Sequence, residues 1–260
     1  HGRSYDVRTS FVPCHDGESV AIRLLDTAAD TRELRDLGLH EEQATRLEHL
    51  SPGSGGLIIV SGPTGSGKTT TVHALLRRYR DGRRKILAIE DPVEYRIAGV
   101  VQVQIRREIG LDFDAALRRS LRHDPDILMV GEIRDAETAK LAVRSALSGH
   151  LVFSTVHTEH IDGIAGRLEN LGVARHLLEE VLAARVSQRL MRRVCGDCAS
   201  PRFAAGAERE RAHRVGVALK TVWEGTGCPR CHGTGYRGRL GVFEVRRARA
   251  EAIEGLVGQA

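Results

Sequence analysis

Long apolar runs are absent from this sequence, and so is the pattern of a secretory signal peptide. Its longest apolar stretches, such as GLIIV, DILMV and HLVFSTV, have the length of strands. A membrane-spanning helix needs about 18 or more consecutive apolar residues. We therefore expect a soluble chain that is not inserted in a membrane, although it can still dock on a membrane protein.

Aromatic residues are also scarce, at 4% of the chain. This low content argues against the stacked aromatic platforms that bind single-stranded nucleic acids. The chain carries a formal net charge of +5, but its 39 basic and 34 acidic residues are interspersed along the sequence. Dispersed charge of this kind favours a solvated surface over a dedicated nucleic-acid patch.

The chain has five cysteines, and four of them form two C-x-x-C pairs, CGDC and CPRC. The predicted metal ligands are Cys195, Cys198, Cys228 and Cys231, whereas Cys14 stands alone. Four thiolates at these spacings are typical of a closed structural zinc site. A redox dithiol and a zinc ribbon that reads nucleic acid are the alternatives, but two matched pairs favour metal in a reducing cytosol. The segment between the pairs has little apolar content, so a metal would supply much of its stability.

Strand-like and helix-like segments alternate through the middle of the chain. Strands are predicted in LIIVS, KILAIE, DILMVGE and HLVFSTVH, and helices in TTTVHALLRRYR, FDAALRRSLRHD and AETAKLAVRSALSG. This alternation indicates parallel strands joined by crossover helices, an α/β nucleotide-binding core. Two further strand-like runs flank the turn segment PCHDGE near the start, and residues 31–50 are predicted to form a linker and a short helix that Gly38 interrupts.

The segment GPTGSGKT fits the phosphate-binding pattern G-x-x-x-x-G-K-[ST] and lies between a predicted strand and a predicted helix. Its backbone N–H groups and the start of the helix are expected to surround phosphate groups. Lys68 is expected to reach the β- and γ-phosphates, and the Thr69 hydroxyl to bind Mg²⁺. The predicted nucleotide-binding residues are Gly62, Pro63, Thr64, Gly65, Ser66, Gly67, Lys68, Thr69 and Thr70.

Acidic residues follow two of the predicted strands. LAIEDPVEY carries Glu90, Asp91 and Glu94, and DILMVGE ends in Glu132. Ligands of an open parallel sheet gather at the carboxyl ends of its strands. We therefore expect both acidic groups at the rim of the phosphate site, with the LAIE strand next to the phosphate loop and shared cations offsetting the repulsion. Glu94 is the candidate that polarises the attacking water, with Glu90 and Asp91 supporting it.

Taken in order, these motifs resemble those of the type II secretion and type IV pilus assembly ATPases, the GspE/PulE–PilB class. They are the Walker A segment GPTGSGKT, the Asp box AIEDPVEY, the atypical Walker B segment DPDILMVGEIRD and the His box GHLVFSTVHT. The resemblance covers nearly the whole chain. It implies a RecA-like P-loop NTPase core with a parallel sheet, a tetracysteine zinc element, and a β-hairpin that remains from a preceding N2 domain.

The resemblance also implies roles for individual residues. Glu94 corresponds to the catalytic glutamate and Glu132 to the metal-associated Walker B acid. The residues implied to act near the γ-phosphate or across a subunit boundary are His150, His157, Arg8, Arg23, Arg118, Arg122 and Arg134. From the residues alone, a purely structural position remains open for the two histidines, and a solvated surface remains open for the arginines, above all for Arg118.

The domain boundaries implied by the resemblance follow the same order. They are 1–27 for the last strands of N2, 28–50 for a linker and helix, 51–190 for the ATPase core, 191–240 for the zinc element and 241–260 for the start of a C-terminal helical region. The N1 domain and most of N2 are expected to lie outside this sequence.

The implied function is a homohexameric motor that hydrolyses ATP with Mg²⁺, contains Zn²⁺, and drives pseudopilin or pilin assembly. It would be cytoplasmic and would meet the inner membrane through platform proteins, without binding nucleic acid directly. The alternatives are a DNA-uptake or DNA-translocation ATPase, another RecA-like nucleic-acid motor, and a scaffold that binds ATP without hydrolysis. Secretion and pilus assembly are not distinguished by the sequence.

Overall fold

A computed structural model describes residues 5–26, 32–48, 50 and 55–247 of the protein. The chain divides into two compact units, His1–Arg189 with Phe243–Ala260 and, separately, Leu190–Val242. The second unit is close in extent to the predicted zinc element at 191–240. Residues 51–54, at the start of the predicted ATPase core, and the end of the predicted C-terminal region, beyond residue 247, lie outside the described residues.

Strands and helices alternate through the middle of the chain much as the hydrophobic pattern predicts, and further elements follow in the second unit. The strands are β1 Tyr5–Cys14, β2 Gly17–Asp26, β3 Gly56–Ser61, β4 Ile86–Glu90, β5 Val101–Gln104, β6 Ile127–Val130, β7 Leu151–Val156, β8 Leu182–Val194, β9 Ala199–Phe203, β10 Thr221–Gly225 and β11 Tyr236–Arg247. The helices are α1 Glu41–Glu48, α2 Lys68–Tyr79, α3 Phe113–Leu121, α4 Ala136–Leu147, α5 Gly163–Asn170, α6 Arg175–Val181 and α7 Gly206–Arg214.

A seven-stranded sheet forms the centre of the first unit, in the order β11-β8-β3-β7-β6-β4-β5. Its pairs β3–β7, β3–β8, β4–β5, β4–β6 and β6–β7 are all parallel. The predicted α/β core with a mainly parallel sheet is therefore confirmed.

The position of β4 corrects one expectation. The LAIE strand does not lie next to the phosphate-loop strand, because β7 and β6 stand between β3 and β4. Strands that follow one another in sequence are neighbours only about two-thirds of the time. Here the connection through α2 leaves two positions between β3 and β4, and the later strands β6 and β7 occupy them.

The sheet is covered on both faces, because its strands have apolar residues pointing each way. In β3, Leu57 and Ile59 pack in one core with residues of α3, α4, α5 and α6, while Ile58 and Val60 pack in the other with residues of α1 and α2. All six residues of β3 are buried. Such double burial explains why these strands have continuous apolar sequences and why their carboxyl ends are fixed relative to one another.

The last described segment corrects a second prediction. Residues 241–247 were predicted to begin a helical region, but they belong to strand β11. Phe243 and Val245 are buried and their neighbours in sequence are exposed or half-buried. The sequence GVFEVRR shows the same alternation, which has the period of a strand and not of a helix.

The predicted break at Gly38 corresponds to a backbone feature. A short 3-10 helix at Arg35–Leu37 ends at Gly38, whose φ of 107° is left-handed. Helix α1 starts only after this turn, so it is shorter than the predicted 31–50 segment. In the part of the chain that the structure describes, no helix is long and apolar enough to cross a bilayer.

Tyr79 attaches the phosphate-loop helix α2 to the linker that precedes β3. Its buried hydroxyl lies 2.8 Å from the Leu50 carbonyl oxygen and 3.1 Å from that of Leu47. Burial raises the pKa of Tyr79 to about 12, which keeps the hydroxyl neutral and able to donate.

Replacing Tyr79 by Phe is expected to lower the free energy of unfolding by about 1 kcal/mol, the usual net value of one hydrogen bond. Chemical denaturation measures the change. Tyr236→Phe is the matched control, since within the described residues the Tyr236 hydroxyl makes no hydrogen bond. Equal stability of the Tyr79→Phe variant and the control would contradict the assigned contact.

Candidate nucleotide site and cysteine cluster

The segment between β3 and α2 forms a glycine-rich loop whose tight turn is sterically required. Gly62 has a φ of 149°, and a Cβ at this position would lie 2.3 Å from the Gln188 carbonyl oxygen and 2.6 Å from Ser66 Oγ. Because no side chain fits there, the loop passes directly against β8. The backbone is thereby held at the carboxyl end of β3, where phosphates bind in folds of this class.

Lys68 begins helix α2 and is largely buried, with 8% of its surface exposed. Its ammonium donates to the carbonyl oxygens of Gly62 at 2.9 Å and Pro63 at 3.1 Å. Burial lowers the pKa of Lys68, and the negative charge of Glu132 partly opposes this effect. The loop thus directs one cation to the place where phosphate charge is expected.

A histidine, a carboxylate and an arginine lie beside Lys68 at the ends of the neighbouring strands. His157, after β7, has Nδ1 3.4 Å from Lys68 Nζ and Nε2 3.1 Å from Glu132 Oε1. Arg134 is 2.8 Å from the other carboxylate oxygen of Glu132, and that hydrogen bond raises the pKa of Arg134. The structure therefore brings together four predicted residues from three separate segments of the sequence: Lys68, Glu132, Arg134 and His157.

The three acids of LAIEDPVEY occupy different environments. Glu90 is buried and both its oxygens are engaged, at 2.9 Å from His73 Nε2 and 2.8 Å from Gln102 Nε2. Asp91 pairs with Arg107 at 2.9 Å. Glu94 is half-buried and, within the described residues, makes no side-chain hydrogen bond or ion pair. Glu94 is therefore the one acid of this group whose carboxylate is available to a ligand.

Three other predicted residues do not lie at this site. His150 precedes β7 while His157 follows it, and a six-residue strand separates the two histidines by about 20 Å. His150 therefore lies at the opposite end of β7 from the phosphate loop of its own chain. Arg118 pairs with Asp114 at 2.9 Å on an exposed face of α3, and Arg122 is the exposed residue that ends this helix. The roles of these three across a subunit boundary stay predictions.

The hairpin of β1 and β2 places Arg8 directly opposite Arg23. Directly opposed residues of antiparallel strands project to the same face, so two like charges are side by side. The other face carries exposed apolar side chains, among them Phe11 and Ile22. A pair of adjacent arginines attracts an anion, which agrees with the type of ligand expected for both residues.

In the second unit, the four predicted cysteines form one cluster. Their sulfurs all lie within 4.8 Å of one another, with separations of 3.9 Å for Cys195–Cys228 and for Cys198–Cys231. Zinc–sulfur bonds of about 2.3 Å in a tetrahedron place the sulfurs about 3.8 Å apart. The donor set and its spacing therefore fit a tetrahedral metal with no open coordination position.

The surroundings of the cluster act differently on two of its cysteines, Cys231 and Cys198. Burial opposes ionisation of Cys231, but the N–H groups of Cys228 and Gly235, at 3.2 and 3.3 Å from its sulfur, outweigh burial and lower its pKa to about 6. Burial raises the pKa of Cys198 to about 11, and its thiol neighbours add to the effect. Only a bound cation would hold all four sulfurs as thiolates near neutral pH.

Gln188 is a site residue that the sequence analysis did not identify. It is buried on β8, where its Nε2 donates to the Ser66 carbonyl oxygen at 2.8 Å and its Oε1 accepts from the Thr71 hydroxyl at 2.7 Å. One side chain thus holds the phosphate loop and the first turn of α2. A polar residue in an otherwise apolar alternation, VLAARVSQRL, is the signal that could have identified it.

Replacing Gln188 by Leu is expected to weaken binding of a fluorescent ATP analogue about tenfold, since two buried hydrogen bonds that shape the loop are lost. Gln104→Leu, the same change on the exposed part of β5, should leave the affinity unchanged. Nucleotide titration of both variants measures the difference. Equal affinities would show that Gln188 does not shape the binding loop.

Comparisons with known proteins agree with this geometry. Residues 1–259 match the family described as Type II/IV secretion system protein. The chain is 43% identical to Type II secretion system protein E of Pectobacterium carotovorum subsp. carotovorum, over 94% of this chain and 49% of the relative. It is 41% identical to Type II secretion system ATPase E of Vibrio cholerae, over 94% of this chain and 48% of the relative. The chain thus spans about half the length of the curated relatives it matches.

Solved structures share the fold. The pilus retraction motor PilT with bound ADP aligns with a TM-score of 0.65 and 28% identity, over 96% of this chain and 62% of that one. The Legionella pneumophila ATPase DotB aligns with a TM-score of 0.65 at 22% identity, over 99% of this chain and 62% of that one. Identity this low shows a shared fold and nothing further. With the family match along nearly its whole length, the chain belongs to the type II/IV secretion system protein family.

Proposed function

We propose that this chain binds ATP with Mg²⁺ at the loop before α2 and hydrolyses it as the motor of a machine that assembles pseudopilins or pilins. The observation that carries the proposal is the convergence of Lys68, His157 and Glu132 at the carboxyl ends of β3, β7 and β6. A buried cation beside a carboxylate at the rim of a parallel sheet suits a metal–phosphate ligand better than any structural purpose.

The phosphate groups would take the place of the backbone carbonyls that now accept from Lys68. The Thr69 hydroxyl makes no hydrogen bond within the described residues, and the carboxylate of Glu132 is largely shielded from water. These are the oxygen ligands that Mg²⁺ takes in proteins, so the residues present fit the metal. When bound there, Mg²⁺ would reduce the negative charge on the phosphate groups.

Glu94 is proposed to orient and polarise the attacking water. Glu90 is fully engaged and Asp91 is paired with Arg107, which leaves Glu94 as the free acid of this loop. Strand β4 lies three strand positions from β3, about 14 Å at the usual spacing. The loop that carries Glu94 must therefore reach across the ends of β6 and β7 toward the γ-phosphate.

The functional unit is proposed to be a homohexamer. Arg8 and Arg23 form a paired anion-attracting face on the hairpin, and His150, Arg118 and Arg122 lie away from their own phosphate loop. Residues of this kind serve in ring motors by approaching the nucleotide of a neighbouring subunit. The hairpin itself is proposed to complete a preceding N2 domain.

The partners are proposed to be platform proteins of the inner membrane, with the motor on the cytoplasmic side. The relatives named Type II secretion system protein E and the pilus motor PilT support a secretion or pilus machine. The cysteine cluster is proposed to hold Zn²⁺, which would stabilise the unit Leu190–Val242 by cross-linking segments that share little apolar contact.

Glu94→Gln is expected to lower the ATP turnover number about 100-fold or more while the nucleotide dissociation constant stays within about threefold, since a general base acts only on the chemical step. Phosphate release and nucleotide titration on the purified protein measure the two quantities. Glu108→Gln, an exposed glutamate in the Arg107–Ile109 turn, is the control. Undiminished turnover would remove Glu94 from this role.

The zinc proposal predicts about one zinc ion per chain, detected by elemental analysis after dialysis. Cys228→Ser combined with Cys231→Ser should remove the metal and lower the unfolding temperature. Cys14→Ser, an exposed thiol outside the cluster, should change neither property. A protein that keeps its metal without Cys228 and Cys231 would overturn the assignment.

A further inference from the structure

A buried polar network lies between the phosphate-loop helix and the loop that carries Glu94. It consists of His73 on α2, Glu90 at the end of β4 and Gln102 on β5. His73 and Glu90 expose 1% and 3% of their side chains. Burying polar groups this deeply costs free energy unless they are hydrogen-bonded. A buried network whose members are hydrogen-bonded to one another rigidifies the segments that it joins.

Gln102 connects this network to the backbone on both sides of one turn. Its Nε2 donates to Glu90 Oε1 and to the Tyr95 carbonyl oxygen, each at 2.8 Å, and its Oε1 accepts from the Ile97 N–H at 2.8 Å. The amide orientation is therefore determined, because a flipped amide would place its oxygen against two other acceptors. The residue before Tyr95 is Glu94, so the turn is held immediately beside the proposed base.

Glu90 connects Gln102 to the phosphate-loop helix α2. Its second oxygen lies 2.9 Å from His73 Nε2, and its backbone oxygen accepts from the Ile105 N–H at 2.9 Å. His73 lies a little more than one helical turn after Lys68, on the rigid helix whose first residue is expected to contact the phosphates. The ring of His73 also packs edge-on to Tyr95, with centroids 6.4 Å apart.

We propose that His73, Glu90 and Gln102 are positioning residues that hold the Glu94 loop in register with the phosphate loop. The inference rests on the proposed function, in which Glu94 acts on water. β4 is three positions from β3 in the sheet, and the His73–Glu90 contact joins β4 directly to helix α2, which begins at Lys68. The three side chains contact one another and the turn that follows Glu94, so we expect their effect to fall on the geometry of the base.

Gln102→Leu is expected to lower the turnover number about tenfold to 100-fold, because displacement of a reacting group by about 1 Å costs that much, while ATP affinity stays within about threefold. His73→Leu should act in the same direction, and His73→Gln, which keeps a donor near Glu90, should restore part of the rate. Gln104→Leu on the same strand is the matched control and should keep full turnover.

Hydrogen exchange supplies a measurement that does not depend on activity. The Ile97 amide should exchange about tenfold faster in Gln102→Leu and His73→Leu than in the control, since its acceptor is lost or loosened. Leu76→Ala, a fully buried residue of α2 outside the network, controls for general destabilisation.

The outcomes separate the two proposals. Full turnover and unchanged exchange in Gln102→Leu and His73→Leu, with Glu94→Gln inactive, would overturn the positioning network and leave the proposed function intact. An equal loss of turnover in Leu76→Ala would also overturn it. Normal turnover in Glu94→Gln would instead remove the proposed base, whatever the exchange data show.

Discussion

The burial of one ammonium group organises the candidate site. Lys68 has little contact with water, and its charge is balanced by loop carbonyls and by the nearby Glu132 carboxylate. A buried cation is stable only if acceptors surround it, so the loop, His157 and the end of β6 must all be in place together. The parallel sheet meets this condition, because it brings the carboxyl ends of β3, β7 and β6 to a single edge.

Much of this arrangement was predictable because the signals are local or periodic. The phosphate loop carries its own steric requirement at Gly62, and the buried strands have the apolar composition that double burial imposes. The four cysteines were predictable from spacing, because structural zinc sites commonly take their four ligands from two C-x-x-C pairs. Each of these features depends on a few residues at short, recognisable spacings in the sequence.

What the sequence could not provide was the order of the strands and its consequences. β4 follows β3 in the chain but lies three positions away, so the Glu94 loop needs support that no local motif predicts. Gln188, His73 and Gln102 act through contacts across 122, 17 and 12 positions of sequence, respectively. The position of His150 likewise depends on the topology, because proximity within a motif does not show at which end of a strand a residue lies.

Lys68 and its neighbours are proposed to bind ATP for hydrolysis. The most direct measurement is Mg²⁺-dependent phosphate release by the purified protein and by its Lys68→Ala variant. We expect saturable, Mg²⁺-dependent release by the unaltered protein, and loss of both release and nucleotide binding in the variant. Release that persists at the same rate without the Lys68 ammonium would contradict it.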